Sequence, residues 1–267
     1  MPKLAVGEIQ LDFERSGEGP PLLLIMGMSG TALQWGEPFL DLLRPDFEVI
    51  VYDHRGVGAS SRLEGPLTIA QMAQDAAGLL DALGIESAHV MGISMGGMIA
   101  QELALARGGL VRTLTLGCTF CGGSDSTPTS PAVLGRLAAG MQSGDRVRAI
   151  KTGWEVNVSQ AMAADADAYE RYTGIVARRP VAVPVLMAQL QACVAHDTCS
   201  RLPNLTMPTL VIHGTEDEML PVQNGQLIAS LIPGARLEIM EGVGHLFFWE
   251  RPERSAELVR THAAVPA

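Results

Sequence analysis

Aromatic side chains make up only 4% of this sequence, too few for a binding face built from stacked rings. Basic residues are also scarce: 19 Lys and Arg stand against 29 Asp and Glu, for a formal net charge of −10. No basic run of the kind that neutralises phosphates occurs, so neither nucleic acid nor an anionic membrane surface is expected as a partner. Long apolar stretches are missing too. The longest purely apolar run, 22–26, is far too short to cross a bilayer. The opening M-P-K-L-A-V-G-E lacks the apolar segment of a signal peptide, and a cytoplasmic location is the expectation. Cysteine is limited to Cys118, Cys121, Cys193 and Cys199. The first two form a C-x-x-C, half of a zinc or redox motif. The other two are separated by five residues, with no histidine at ligand spacing. Reduced structural thiols are therefore expected, with neither a metal nor an organic cofactor.

What is present is apolar mass, 47% of 267 residues, enough for one large core carrying an insertion. Strand and helix signals alternate through the first half. Strands are expected near 4–6, 9–13, 21–26, 47–52, 88–93 and 111–116, with helices over 37–43, 68–83 and 95–107. Thr68 and Gln71 stand three apart as a capping box, and Gly84 supplies the stop. This rhythm predicts an α/β fold: a mostly parallel, twisted sheet with helices on both faces. It breaks at G-G-S-D-S-T-P-T-S-P, a linker by composition. From 132 to 196 the pattern is helical only, with apolar stripes that need burial (Leu134, Leu137, Met141; Val147, Ile150, Trp154, Val158; Leu186, Leu190, Cys193). Strands return at 209–213 and 236–240, with helices near 222–231 and 253–262. The expected organisation is a core of 1–121 and 201–267, with 122–200 inserted as a helical cap.

Gly92-Ile93-Ser94-Met95-Gly96 matches G-x-S-x-G, followed by Gly97. A strand must turn sharply into a helix there, holding the serine hydroxyl exposed, and the flanking glycines remove side chains that would collide. The apolar run before it and the amphipathic run after it supply that setting. With Y-D-H-R-G-V-G-A-S (52–60), the chain resembles the α/β-hydrolase family over nearly its whole length, in the branch with a serine nucleophile. One departure stands out: the family's usual His-Gly after the third strand is Met26-Gly27-Met28 here. In that respect the chain resembles aclacinomycin-methylesterase-like and related bacterial members, and as a whole it resembles bacterial esterases and lactonases that include 3-oxoadipate enol-lactonase-like members.

The resemblance implies a triad in the order serine, acid, histidine, with Ser94 as nucleophile. Six histidines compete for the base. His245, in G-V-G-H-L-F beyond the last strand, stands where the family places it. His54 and His89 are expected to be structural, and His213 to pack beneath the acid loop. His196 is a candidate for the pocket wall, and His262 is expected on a solvated helix face. The family's G-x-x-D after the strand 209–213 falls on Asp217, with the side chains of Glu216 and Glu218 directed elsewhere. An oxyanion would rest on the backbone N–H groups of Met28 and Met95.

These assignments predict hydrolysis of a carboxylic ester or lactone of a small, largely apolar substrate through an acyl-enzyme. Met26, Phe120, Trp154 and Leu186 are the candidate pocket residues, since methionine moulds to irregular apolar groups. Met91 and Met98 are expected to pack the core. Carbon–carbon bond hydrolysis and a haloperoxidase-like perhydrolase reaction use the same triad and stay open. A slow-turnover ligand receptor on the same fold is the alternative from another class. The sequence leaves the oligomeric state open.

Overall fold

The structure, a computed structural model, describes residues 2–265. Eight strands form one sheet: β1 (Lys3–Val6), β2 (Ile9–Ser16), β3 (Pro21–Ile25), β4 (Glu48–Tyr52), β5 (Ala88–Ile93), β6 (Val111–Gly117), β7 (Thr209–Gly214) and β8 (Arg236–Met240). Their spatial order is β1-β2-β4-β3-β5-β6-β7-β8. The two pairings made by β2 are antiparallel, and every later one is parallel. Register aligns the carboxyl ends of the parallel strands: Ile25 sits beside Gly92, Ile93 beside Gly117, and Gly214 beside Met240. The loops that follow β3, β5, β6, β7 and β8 therefore emerge along one edge of the sheet, where open α/β sheets bind ligands.

Alternation along β3 explains why both faces are covered. Leu23 and Ile25 point into one apolar layer, with Met72, Leu79 and Leu80 of α2 (Ile69–Ala82) and Met98, Ile99 and Leu103 of α3 (Met95–Ala106). Leu22 and Leu24 point into the other, with Phe39 and Leu43 of α1 (Glu37–Leu43). Each fully buried aliphatic side chain contributes roughly 1.5–3 kcal/mol. The Thr68 cap forms as expected, accepting from Gln71 N at 3.1 Å.

Between β6 and β7 the chain is helical: α4 (Pro131–Gln142), α5 (Arg146–Asn157), α6 (Gln160–Ala163), α7 (Ala166–Arg178) and α8 (Val183–Val194). Local chemistry sets where the first four begin. Ser130, Asp145, Ser159 and Asp165 each cap a helix by accepting a backbone N–H of its first turn. The remaining helices, α9 (Gln223–Leu231), α10 (Phe247–Glu250) and α11 (Pro252–Ala263), complete the fold. Among the described residues, no helix is long and apolar enough to cross a membrane.

Three expectations are corrected. Cys121 and Cys199 form a disulfide, while Cys118 and Cys193 are free and buried. Gly122 pairs with Asp197 in an isolated antiparallel bridge, and Thr198 N–H donates to Cys121 O at 2.7 Å. The two ends of the helical segment thus meet, bringing together thiols that the sequence separates by 78 residues. His262 is buried rather than solvated, its Nε2–H donating to Leu114 O at 3.1 Å. Several members of the apolar stripes, Leu134, Met141, Val147 and Leu190, are exposed. The helices here bury narrower faces than their sequences offer.

Candidate active site

Ser94 lies between β5 and α3 with φ 56 and ψ −124, a conformation ordinary side chains avoid. The surroundings hold it there. Its N–H donates to Gly117 O at 2.9 Å, and its carbonyl accepts from Gly97 N, Met98 N and Thr119 Oγ1. The motif glycines are required by contact: a Cβ on Gly92 would strike the Gly96 carbonyl oxygen, and one on Gly96 would strike that of Ile25. Among the described residues three non-glycines have positive φ, namely Ser29, Ser94 and Cys118. All three stand on loops at the carboxyl edge of the sheet.

The loop after β3 runs beside the serine. A Cβ on Gly27 would lie 3.1 Å from Ser94 Cβ and 3.7 Å from its Oγ. Gly30 N–H donates to Gly27 O at 3.2 Å, closing a turn through Met28 and Ser29. His54 Nε2–H donates to Met26 O at 2.9 Å, and burial holds its imidazole below the ordinary histidine pKa, in the neutral form. This ring anchors the loop from beneath. Asp53 supports the far end, its Oδ1 accepting from Ala32 N at 2.7 Å while its Oδ2 meets Arg179 Nη1 at 2.6 Å. Arg179 also bonds Asp12 Oδ2 at 2.8 Å, fastening the end of α7 to the core. Met95 N begins α3, where first-turn N–H groups have no partner within the helix.

Asp217 and His245 meet, Oδ2 to Nδ1, at 2.8 Å. The other carboxylate oxygen of Asp217 accepts from Met219 N and Leu220 N, both at 2.9 Å. His213 Nε2 lies 2.7 Å from Leu220 O and 3.2 Å from Asp217 Oδ2, so His213 packs beneath the acid loop. Burial works to raise the pKa of Asp217, but His245 and His213 beside it outweigh that and hold the carboxyl well below the usual range. Glu216 and Glu218 point away, to Gln160 N at 3.0 Å and Arg136 at 2.7 Å.

Two groups at this edge went unseen in the sequence. Glu250 is buried and accepts from Gly244 N at 2.8 Å, one residue before His245. It also accepts from Ser159 N at 2.9 Å and from the Ser159 hydroxyl, joining the histidine loop to α6. Gln189 of α8 is fully buried, and its Oε1 accepts from Ser29 N at 2.8 Å. Each had a faint signal: Glu250 closes the apolar run L-F-F-W, and Gln189 falls on the Leu186–Cys193 face of its helix.

The proposed pocket residues divide. Met26 is buried, while Phe120 and Leu186 are half-buried. The Phe120 ring lies 6.2 Å from that of His196, which is itself buried. Trp154 is 1% exposed and packed against Tyr169, Tyr172 and Trp249, where it holds the helical segment together. Trp35 stacks in the core with Phe39 and Phe248. Met91 and Met98 are buried in the core layers, as expected.

Ligating atoms of Cys118, Asp217 and His245 lie within 4.8 Å of one another. That trio does not fit a metal. The 2.8 Å between Nδ1 and Oδ2 is a hydrogen-bond spacing, below the about 3.3 Å separating two ligands on a tetrahedral zinc. Burial, with the Asp217 charge adding to it, pushes the Cys118 thiol far above its ordinary pKa and away from thiolate.

Comparison with known proteins adds an independent line. Residues 20–252 match the family model described as alpha/beta hydrolase fold. A protein of Azorhizobium caulinodans, provisionally named the carbamate hydrolase RutD, is 32% identical over 265 residues, 97% of each chain. A hydrolase from Pseudomonas aeruginosa PA01 superposes with a TM-score of 0.85 at 30% identity, covering 99% of this chain and 98% of that one. The enol-lactonase of Burkholderia xenovorans LB400 gives 0.83 at 25% identity, over 99% and 100%.

Proposed function

The chain belongs to the alpha/beta hydrolase fold family, and from that premise we propose that it is a serine hydrolase cleaving a carboxylic ester or lactone of a small, largely apolar substrate through an acyl-enzyme. Ser94 is the nucleophile, His245 the general base and Asp217 the orienting acid. The observation that carries this reading is the 2.8 Å contact between Asp217 Oδ2 and His245 Nδ1, at the same sheet edge as the strained serine turn.

That contact decides the tautomer. A carboxylate only accepts, so Nδ1 carries the proton and Nε2 is left as a base. His245 takes the Ser94 proton as Oγ attacks the substrate carbonyl. Charge developing on the carbonyl oxygen is stabilised by the N–H groups of Met28 and Met95, the latter at the positive end of α3. Imidazolium then returns its proton to the departing alkoxide oxygen, which in a lactone stays tethered to the acyl group. Water, activated by the same histidine, releases the acid and frees Ser94. Asp217 remains ionised throughout and stabilises the imidazolium. No step requires a metal or an organic cofactor.

The helical segment 122–200 acts as a cap, setting substrate choice through residues such as Leu186, with Phe120 and Met26 contributed by the core. The likeness to an enol-lactonase supports the lactone side of the reading. The carbamate hydrolase named among the relatives favours carbamates as a second reading, since their carbonyl takes the same attack.

The test combines labelling and turnover. A fluorophosphonate should modify Ser94 alone. p-Nitrophenyl esters should give a burst followed by steady turnover, which a slow receptor would not sustain. A panel of esters, lactones and carbamates then ranks the substrate classes. Equal turnover by Ser94→Ala protein would overturn the assignment.

A further inference from the structure

Helix α8 has two apolar faces, and the fold buries only one of them. Val185, Gln189, Ala192 and Cys193 are buried. A Cβ on Gly56 would lie 3.0 Å from either γ-methyl of Val185, and Gln189 Oε1 accepts from Ser29 N at 2.8 Å, so this side is docked. Val183, Met187, Leu190 and Val194 stand on the other side. Val194 is 79% exposed, Val183 63%, and Met187 and Leu190 39% each. At 3.6 residues per turn these four fall within an arc of about 60°, a straight seam roughly 16 Å long.

Charge and symmetry together say what covers this seam. From Pro180 to His196 the chain holds no Asp, Glu, Lys or Arg, while its net charge is −10. Two copies repel one another across acidic surface, and they approach most easily where no charge stands. The seam also matches itself. Its spacings of four, three and four residues read the same from either end, with valine outside and the longer side chains inside. An identical helix laid antiparallel therefore sets Val183 against the second copy's Val194, and Met187 against its Leu190. An isologous two-fold contact needs that self-complementarity, and alternating steps of three and four suit a pair of helices packed at a shallow angle.

The area is enough for a weak contact. The four side chains leave on the order of 350 Å² in water, a patch of the size that marks interaction sites on monomers. Pro184, Gln191 and Ala195 are exposed alongside, so two copies would bury about 1,000 Å² together, the lower bound of specific interfaces. Such a dimer forms in the micromolar range and dissociates on dilution.

We propose that α8 is a dimerisation helix. Two copies of this chain pair antiparallel through Val183, Met187, Leu190 and Val194, about a two-fold axis between Met187 and Leu190. The contact lies on the side of α8 away from Gln189, and it needs nothing from Ser94.

Sedimentation equilibrium of the whole chain from about 1 μM to 1 mM spans the expected range. Wild type should pass from monomer to dimer, and Ser94→Ala should do the same whether or not it turns over esters. Raising salt from about 0.05 to 0.5 M should tighten the dimer several-fold, because screening relieves the repulsion between acidic copies. Met187→Arg and Leu190→Glu should each raise Kd about tenfold or more with the melting temperature kept. Mixed in equal amounts, the two variants should dimerise again. Across the axis the new arginine then faces the new glutamate on one side, and a Met–Leu contact survives on the other. Phosphatidylcholine vesicles test for a lipid occupant. A wild-type chain that stays monomeric throughout, or that floats with the vesicles as a monomer, overturns the proposal. So does a dimer that the single variants leave intact, or one that mixing them fails to restore.

Discussion

Glu250 Oε1 lies 2.8 Å from the Gly244 nitrogen and 2.9 Å from that of Ser159. One buried carboxylate thus fixes both the loop that carries His245 and the start of α6. Its Oε2 takes the Ser159 hydroxyl, which makes three donors around a group that can only accept. In Glu250→Ala all three donors lose their acceptor at once. Unfolding free energy should fall by about 2–3 kcal/mol, the range for hydrogen bonds to a buried charge. With the histidine loop loosened, kcat should drop roughly tenfold. Urea unfolding and ester turnover on the same preparation check both. Unchanged turnover in the folded variant would detach Glu250 from the catalytic arrangement.

Ser94→Ala should lower kcat by something like 10⁵–10⁶ with the fold kept, and Asp217→Asn by about 10⁴ because Nδ1 loses its orienting acceptor. Glu216→Gln and Glu218→Gln should cost little, since their side chains reach Gln160 and Arg136 instead. Steady-state kinetics of the four purified proteins decide it. A glutamate variant as damaged as Asp217→Asn would show that the wrong carboxylate had been chosen.

Four buried histidines tie stability to pH. Burial is the largest cause holding His54, His89, His196 and His262 below the ordinary value of 6.5, with His196 lowered to about 4. As pH falls below 6.5 the unfolded chain takes up protons that the folded one refuses. The folded state therefore loses stability toward acid, by about 1.4 kcal/mol per pH unit for each proton of difference. For His196 that loss runs from pH 6.5 down to about 4. Urea unfolding at several pH values should show His196→Gln with a flatter decline, by one proton, over that window. Parallel curves would mean that His196 is protonated in the folded state.

Two residues of the proposed cap should separate specificity from stability. Half-buried Leu186 is the pocket residue we propose, and changing it to Ala or Phe should shift preference along acetyl-to-decanoyl esters by about 1 kcal/mol per methylene accommodated. Trp154, enclosed by Tyr169, Tyr172 and Trp249, should cost about 3–5 kcal/mol on truncation to alanine with the chain-length profile unmoved. kcat/KM across the ester series, read beside thermal unfolding, distinguishes them. A flat response at Leu186 would place specificity in the core loops.

Much of this was legible in the sequence because it depends on local physics. Strand 88–93 and its helix follow from period and from glycines that the turn cannot replace. The turn after β7 directs three adjacent carboxylates differently, and of the three Asp217 meets His245. What stayed hidden was tertiary. Whether Glu250 is solvated or buried depends on donors that arrive from Ser159, 91 residues away. Cys121 and Cys199 pair because a backbone bridge brings their Cα atoms within 5.0 Å, a distance no spacing rule encodes. His262 is expected on a solvated face because it stands near the carboxyl terminus, yet its face turns toward Leu114. In the helical segment between β6 and β7 the stripes predicted more burial than exists, since Val147 and Leu190 are exposed.

The Cys121–Cys199 link has a topological consequence. It makes everything between those residues a covalent ring, closed where the chain leaves and re-enters the core. A protease nick inside the ring leaves the molecule in one covalent piece, so fragments separate only after reduction. Because the two cysteines are 5.0 Å apart at Cα, a tight turn is enough to rejoin the core if the ring is removed. On the proposed reading of this ring as the cap, varying the substrate pocket and preserving the catalytic frame become separate problems for evolution and for engineering alike.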